Sequence, residues 1–168
     1  MALSMYQQSV PNFVRALSAL RGVLAKGAQH CEARKIDPVV LTSARLYPDM
    51  FPLTRQVQIA CDMAKNCVTR LGDLEPVRIE DNEQSFADLQ VRIDRTLDVL
   101  RALTPAQLDG SEDKAIVLKT PRGELSFAGE AYVQTFVLPN IYFHCTTAYD
   151  ILRHNGVELS KFDFLGRS

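Results

Sequence analysis

The sequence predicts an all-α four-helix bundle with a small β-hairpin inserted before the last helix. Three observations predict it. Four long segments repeat apolar residues at spacings of three and four, the period of a helix with one buried face. Proline, glycine and short polar residues mark where those segments begin and stop. One stretch, AIVLKTPRGELSF, abandons that period and sets β-branched residues beside a Pro/Gly turn. The 168 residues suit one domain, spanning 1–168, and 46% hydrophobic residues are enough for a sizeable core.

The first helix is expected from Ser4 to Cys31, with Tyr6, Val10, Phe13, Val14, Leu17, Leu20 and Leu24 on its stripe. Pro11 is expected to bend its start, and Gly22 and Gly27 to weaken its later turns. Asp37-Pro38 supplies an N-cap and N1 pair for a short helix through Leu46. Pro48 and Pro52 stiffen the turn that follows. The second long helix runs from Pro52 to Leu71, with Val57, Cys61, Ala64, Val68 and Leu71 inward and Gly72 ending it. EPVRIEDNEQS is polar and proline-bearing, hence a loop. The third helix, Ser85 to Leu103, turns Phe86, Leu89, Ile93, Leu97 and Leu100 inward and opens on a Ser85/Asp88 capping box. Thr104-Pro105 begins a short helical turn. In the hairpin, Ile116, Val117 and Leu118 face Glu124, Leu125, Ser126 and Phe127 across Thr120-Pro121-Arg122-Gly123. A two-stranded ribbon is marginal alone, so it must lie against the helices. The fourth long helix runs from Gly129 to His154 and closes on Asn155-Gly156. Four long helices joined in this way read as a bundle.

Composition narrows the function classes. Nineteen basic residues oppose twenty acidic ones, for a net charge of −1, so no field attracts nucleic acid or anionic lipid. No apolar run reaches the roughly 18–20 residues that span a bilayer. The start, MALSMYQQSVPNF, lacks the basic and apolar stretches of a signal peptide, which makes the cytoplasm the expected location. Cys31, Cys61, Cys67 and Cys145 form no CxxC pair and read as buried free thiols. No glycine-rich phosphate loop is present.

The polar residues of the last helix carry the functional question. On the stripe Val133, Val137, Asn140, His144, Ala148 and Ile151, two members are polar and one turn apart. A buried polar group left unpaired costs about 1–3 kcal/mol, so Asn140 and His144 require partners. The second helix offers Gln58 and Asp62, also one turn apart: Asp62 to orient His144, and Gln58 to bridge Asn140. Thr147 completes a polar pocket, and Arg45 reaches its mouth unless it pairs with Asp49 to hold the proline-stiffened loop. Pro139 predicts a kink beside this pocket through a clash with the Thr135 carbonyl. His154 lies about 15 Å along the axis from His144 and roughly 80° around it, so the two cannot share a metal. Its place is the last turn, where a cation suits the helix dipole. His30 lies off the first helix's stripe and reads as solvated.

The closing pattern NIYFHCTTAYDILRHNG resembles the last helix of the DinB/YfiT-like helical-bundle superfamily of candidate metalloenzymes. That helix commonly carries a His-x3-His pair and a Leu-Arg-x-x-Gly ending, here Leu152-Arg153-His154-Asn155-Gly156. Nearly the whole chain resembles a bacterial domain-of-unknown-function family within that superfamily, through ARLYPDMFPLTRQVQIACDMAK, FADLQVRI, FAGEAYVQTFVLPNIYFHCTTAYDILRHNGV and the tail FDFLG. The resemblance implies a metal triad of one histidine from the second helix and two from the last. On this chain those positions fall near Gln58 and on Asn140 and His144. Carboxamides are poor ligands for zinc or nickel, so no resident metal or other cofactor is expected, beyond a divalent ion held weakly at His144.

The expected protein is therefore a cytoplasmic helical bundle with a degenerate metal site and a small-molecule pocket. Two alternatives stand beside it. One is a metal-dependent or thiol-transferase-like enzyme with His144 as general base, Asp62 orienting it, and Thr147 or a substrate thiol as nucleophile. The other is a structural or regulatory protein without pocket chemistry. A homodimer is the expected assembly.

Overall fold

Ser4 starts the first helix with a reciprocal cap: its Oγ accepts from the Gln7 amide, and the Gln7 side chain accepts from the Ser4 N–H. The computed structural model describes residues 3–121 and 123–167, so Met1, Ala2, Arg122 and Ser168 lie outside the described residues. Helix α1 spans Met5–Arg34 and continues through Pro11. It outlasts the expected end at Cys31 because Lys35 adopts a left-handed φ of 55° and donates its N–H to the carbonyls of Cys31 and Glu32.

Helix α2, Pro38–Thr42, begins where the Asp37 carboxylate accepts from the Val39 N–H. It stops short of Leu46. Ser43 Oγ donates to the Val39 carbonyl, and the chain doubles back so that the Leu53 N–H donates to the Ala44 carbonyl. Helix α3 is Leu53–Leu71, with Pro52 as its cap and Gly72 at its end. Helix α4 is Phe86–Arg101; Ser85 and Asp88 form the expected capping box.

Strands β1 (Ala115–Thr120) and β2 (Gly123–Ala128) pair antiparallel, with Ile116 opposite Phe127 and Leu118 opposite Leu125. Arg122 of the expected turn lies outside the described residues. Ile116 is buried while Val117 is exposed, the alternation of a ribbon with one covered face. Rings anchor it: Phe127 lies 5.8 Å from Tyr132 and 5.4 Å from Phe136.

The last long helix is not continuous α. A short helix α5, Gly129–Ala131, passes into a π-helical stretch, Tyr132–Val137, and then into α6, Leu138–His154. The widened turns sit immediately before Pro139, which has no N–H for the Thr135 carbonyl and crowds it. Where the sequence predicts a kink, the structure has a π-helical segment. Gly129 starts this run because nothing larger fits: a Cβ there would lie 1.9 Å from the Ser111 carbonyl oxygen.

Helix α1 packs against α4 and α6, and α3 packs against the same two, which closes a four-helix bundle. Leu17, Leu24, Val57, Ala64, Leu89, Ile93, Ile141 and Ile151 fill its centre with no exposed surface. Among the described residues, no helix is long and apolar enough to cross a membrane. After α6 the chain turns into α7, Lys161–Phe164, capped by Ser160 and Asp163. Asp163 also pairs with Lys26 of α1, and that bond, followed by the Ser160 N–H, holds its carboxyl below the usual range. A depressed carboxyl stabilises the fold above its unfolded pKa and loses that contribution as pH falls through the native value. Asp163→Asn is expected to cost about 1 kcal/mol at neutral pH, measured by urea unfolding, and to increase amide exchange in α7. The difference from the parent should shrink at acid pH.

Candidate functional site

His144 lies on the face of α6 that meets α3 and is only 8% exposed. Its Nδ1 is 2.7 Å from Oε1 of Gln56, the residue one turn into α3. The other end of that amide decides the histidine's tautomer. Gln56 Nε2 donates to the Phe51 carbonyl at 2.9 Å, and a carbonyl can only accept. Gln56 therefore turns its oxygen to His144, and Nδ1 carries the proton. Burial, and after it the charge of Arg55, holds the imidazole below its ordinary pKa. The ring is neutral at pH 7, with its lone pair on Nε2. That nitrogen has no protein partner among the described residues and is not sealed from solvent. Phe143, 57% exposed, stands edge-on to the ring at 5.2 Å.

A second polar assembly lies among α3, α4 and the loop that joins them. Arg92 of α4 is 1% exposed and forms ion pairs with Asp62 at 3.0 Å, Asp81 at 2.9 Å and Glu83 at 2.8 Å. It also donates to the Glu80 carbonyl. Glu83 accepts from Gln58 Nε2 at 2.8 Å, and Asp81 and Gln58 both accept from Arg55. Lys65 binds the Val77 carbonyl. The loop between α3 and α4, expected from its polar, proline-bearing sequence, is thereby tied back onto the bundle.

This arrangement corrects the expected pocket. Asp62 does not orient His144, because Arg92 holds its carboxylate. Gln58 does not bridge Asn140, because it is bound to Glu83 and Arg55. Asn140 is only half-buried and donates its side-chain amide to the Phe136 carbonyl at 2.7 Å. The hydroxyl of Thr147 donates to the Phe143 carbonyl at 2.8 Å and not to His144. Arg45 binds the carbonyls of Pro48 and Met50; it holds the loop as expected, but without Asp49. His154 is exposed in the last turn of α6, and His30 is half-buried. The four cysteines are free and buried. Burial pushes the Cys61 thiol up to about 12 and raises Cys67 and Cys145 as well, so none supplies a thiolate at neutral pH.

The residues that matter and were not singled out are Gln56, Arg55, Glu83 and Arg92. Gln56 had a readable signal: with Leu53 and Ala60 added to the α3 stripe, it falls on the buried face. Arg92 sits one turn from both Leu89 and Thr96, which are buried.

The model of a family described as "Domain of unknown function (DUF1993)" matches residues 5–165. The chain belongs to this DUF1993 family. A crystal structure of a DinB family member from Shewanella denitrificans is similar over 96% of this chain and 91% of that one, with 38% identity and a TM-score of 0.87. The fold is accordingly DinB-like. None of the curated proteins matches the chain.

The donor set of this DUF1993 chain does not fit a tightly held transition metal. The α3 side chain facing His144 is Gln56, whose oxygen already accepts from Nδ1, and Asn140, its side-chain NH2 donated to the Phe136 carbonyl, offers only a carboxamide oxygen, a poor ligand for zinc or nickel. Among the described residues, no three His, Cys, Asp or Glu side chains are grouped to hold an ion. One imidazole nitrogen is what remains.

Two outcomes follow from these networks. Arg92→Ala strands the buried Glu83 carboxylate and should cost about 3–5 kcal/mol in chemical unfolding. A native imidazole pKa below the unfolded value of about 6.5 makes the fold lose stability as pH drops from there through the native value. His144→Gln removes that titration, so its stability should fall less between about pH 7.5 and 5 than the parent's.

Proposed function

We propose that this DinB-like bundle binds a small molecule at His144 without a resident transition metal. The observation that carries the reading is the unpartnered Nε2 on a tautomer locked by Gln56 and Phe51. A neutral Nε2 accepts, so the ligand presents a donor: a thiol, hydroxyl or amine hydrogen. Exposed Phe143 beside the ring offers an apolar surface to the rest of it. Four free buried thiols support a reducing compartment such as the cytoplasm.

The same atom supports a catalytic variant of this reading. An imidazole kept neutral at pH 7 can take a proton from a bound thiol or hydroxyl, as a general base does. Asp62 has no part in such a step, and the Thr147 proton is committed to the backbone.

The test pairs elemental analysis of protein prepared without a His-tag or chelator with a thermal-shift screen of small thiols and hydroxy acids. Metal well below one equivalent is expected, together with ligands whose stabilising effect disappears in His144→Ala. Stoichiometric zinc or nickel, or ligand effects unchanged by that substitution, would overturn the reading.

A further inference from the structure

A cavity of about 490 Å3 lies between α1, α6 and the C-terminal turn. That volume suits a small organic molecule. It is separate from the His144 site. His144 bonds across to α3, whereas the wall opposite α6 is here formed by α1. Leu20 and Val23 of α1 and Cys145 of α6 give it a buried apolar floor. Cys145, held as a protonated thiol by burial, behaves there as a small hydrophobe.

The rim carries two arginines, Arg15 from α1 and Arg167 from the tail. Among the described residues neither guanidinium meets a carboxylate. Arg15 reaches only Asn12 Oδ1, at 3.4 Å. Two neighbouring cations of α1 are paired instead, Arg21 with Asp94 and Lys26 with Asp163. The backbone sets Arg167 in place: its N–H donates to the Phe162 carbonyl at 2.9 Å, after Gly166 turns with a φ of +66° against Ala19. The Lys26–Asp163 pair and the Tyr149–Phe164 ring contact anchor α7 beneath it.

An apolar floor under two uncommitted guanidinium groups matches a molecule with an apolar body and an anionic head. Planar guanidinium forks fit the plane of a carboxylate. We propose that this groove binds an amphipathic carboxylate, with its carbon body on Leu20, Val23 and Cys145 and its head between Arg15 and Arg167.

The test is an NMR and calorimetric titration of the full chain with decanoate, run beside 1-decanol. Decanoate should bind saturably at one site, with amide shifts concentrated at Ala16, Val23 and Thr146. Replacing both rim arginines, R15Q/R167Q, changes exposed side chains only and should weaken decanoate about tenfold or more while leaving the circular dichroism spectrum unchanged. Decanol should bind more weakly than decanoate by a similar factor. No saturable binding, equal affinity in the double variant, or shifts centred on His144 would each overturn the proposal.

Discussion

A guanidinium with almost no access to water must be neutralised where it stands, and Arg92 imposes that demand on the middle of the bundle. Asp62, Asp81 and Glu83 meet it from α3 and from the loop between α3 and α4. The loop has little apolar surface of its own to bury. Its path along the bundle is set by Arg92 on the Glu80 carbonyl and by Lys65 on the Val77 carbonyl. The arrangement is not free of cost, since Arg92 Nε is buried without an acceptor among the described residues.

The same demand shapes the candidate site. Each polar side chain drawn toward Arg92 is lost to His144. Asp62 is bound directly and Gln58 through Glu83, while Arg55, tied to Asp81, reaches the ring only through its charge. What reaches the histidine is a carboxamide on one side and the field of a cation on the other. Neither supports an imidazolium, and neither supplies a metal ligand. The site is a single neutral imidazole that, among the described residues, has one lone pair without a protein partner.

The helices were legible because burial and capping leave local marks. Phe86, Leu89, Ile93, Leu97 and Leu100 repeat with one turn's spacing, and all are buried. Ser85 and Asp88 cap the helix as their spacing implies. Helix α2 was overextended because its end depends on the Leu53–Ala44 hydrogen bond, a contact between segments that no local pattern encodes. The π-helical stretch before Pro139 was readable only as a bend. At the site, the inward placement of His144 was legible from its stripe, but its partner was not. Gln56 and Gln58 differ by about 200° around α3, and only the packing of α6 decides which amide faces the ring. Arg92, a charged residue at an inward position of α4, leaves no local mark, because its compensation comes from a loop folded back from outside the helix.

Gln56 locks His144 with its proton on Nδ1 and leaves Nε2 open. Long-range 15N–1H correlation of the histidine rings reads that state directly. At neutral pH, His144 should show a protonated Nδ1 and an unprotonated Nε2, and one equivalent of zinc should not shift Nε2 to a bound position. A proton on Nε2, or a stoichiometric zinc-induced shift of that nitrogen, would contradict the account.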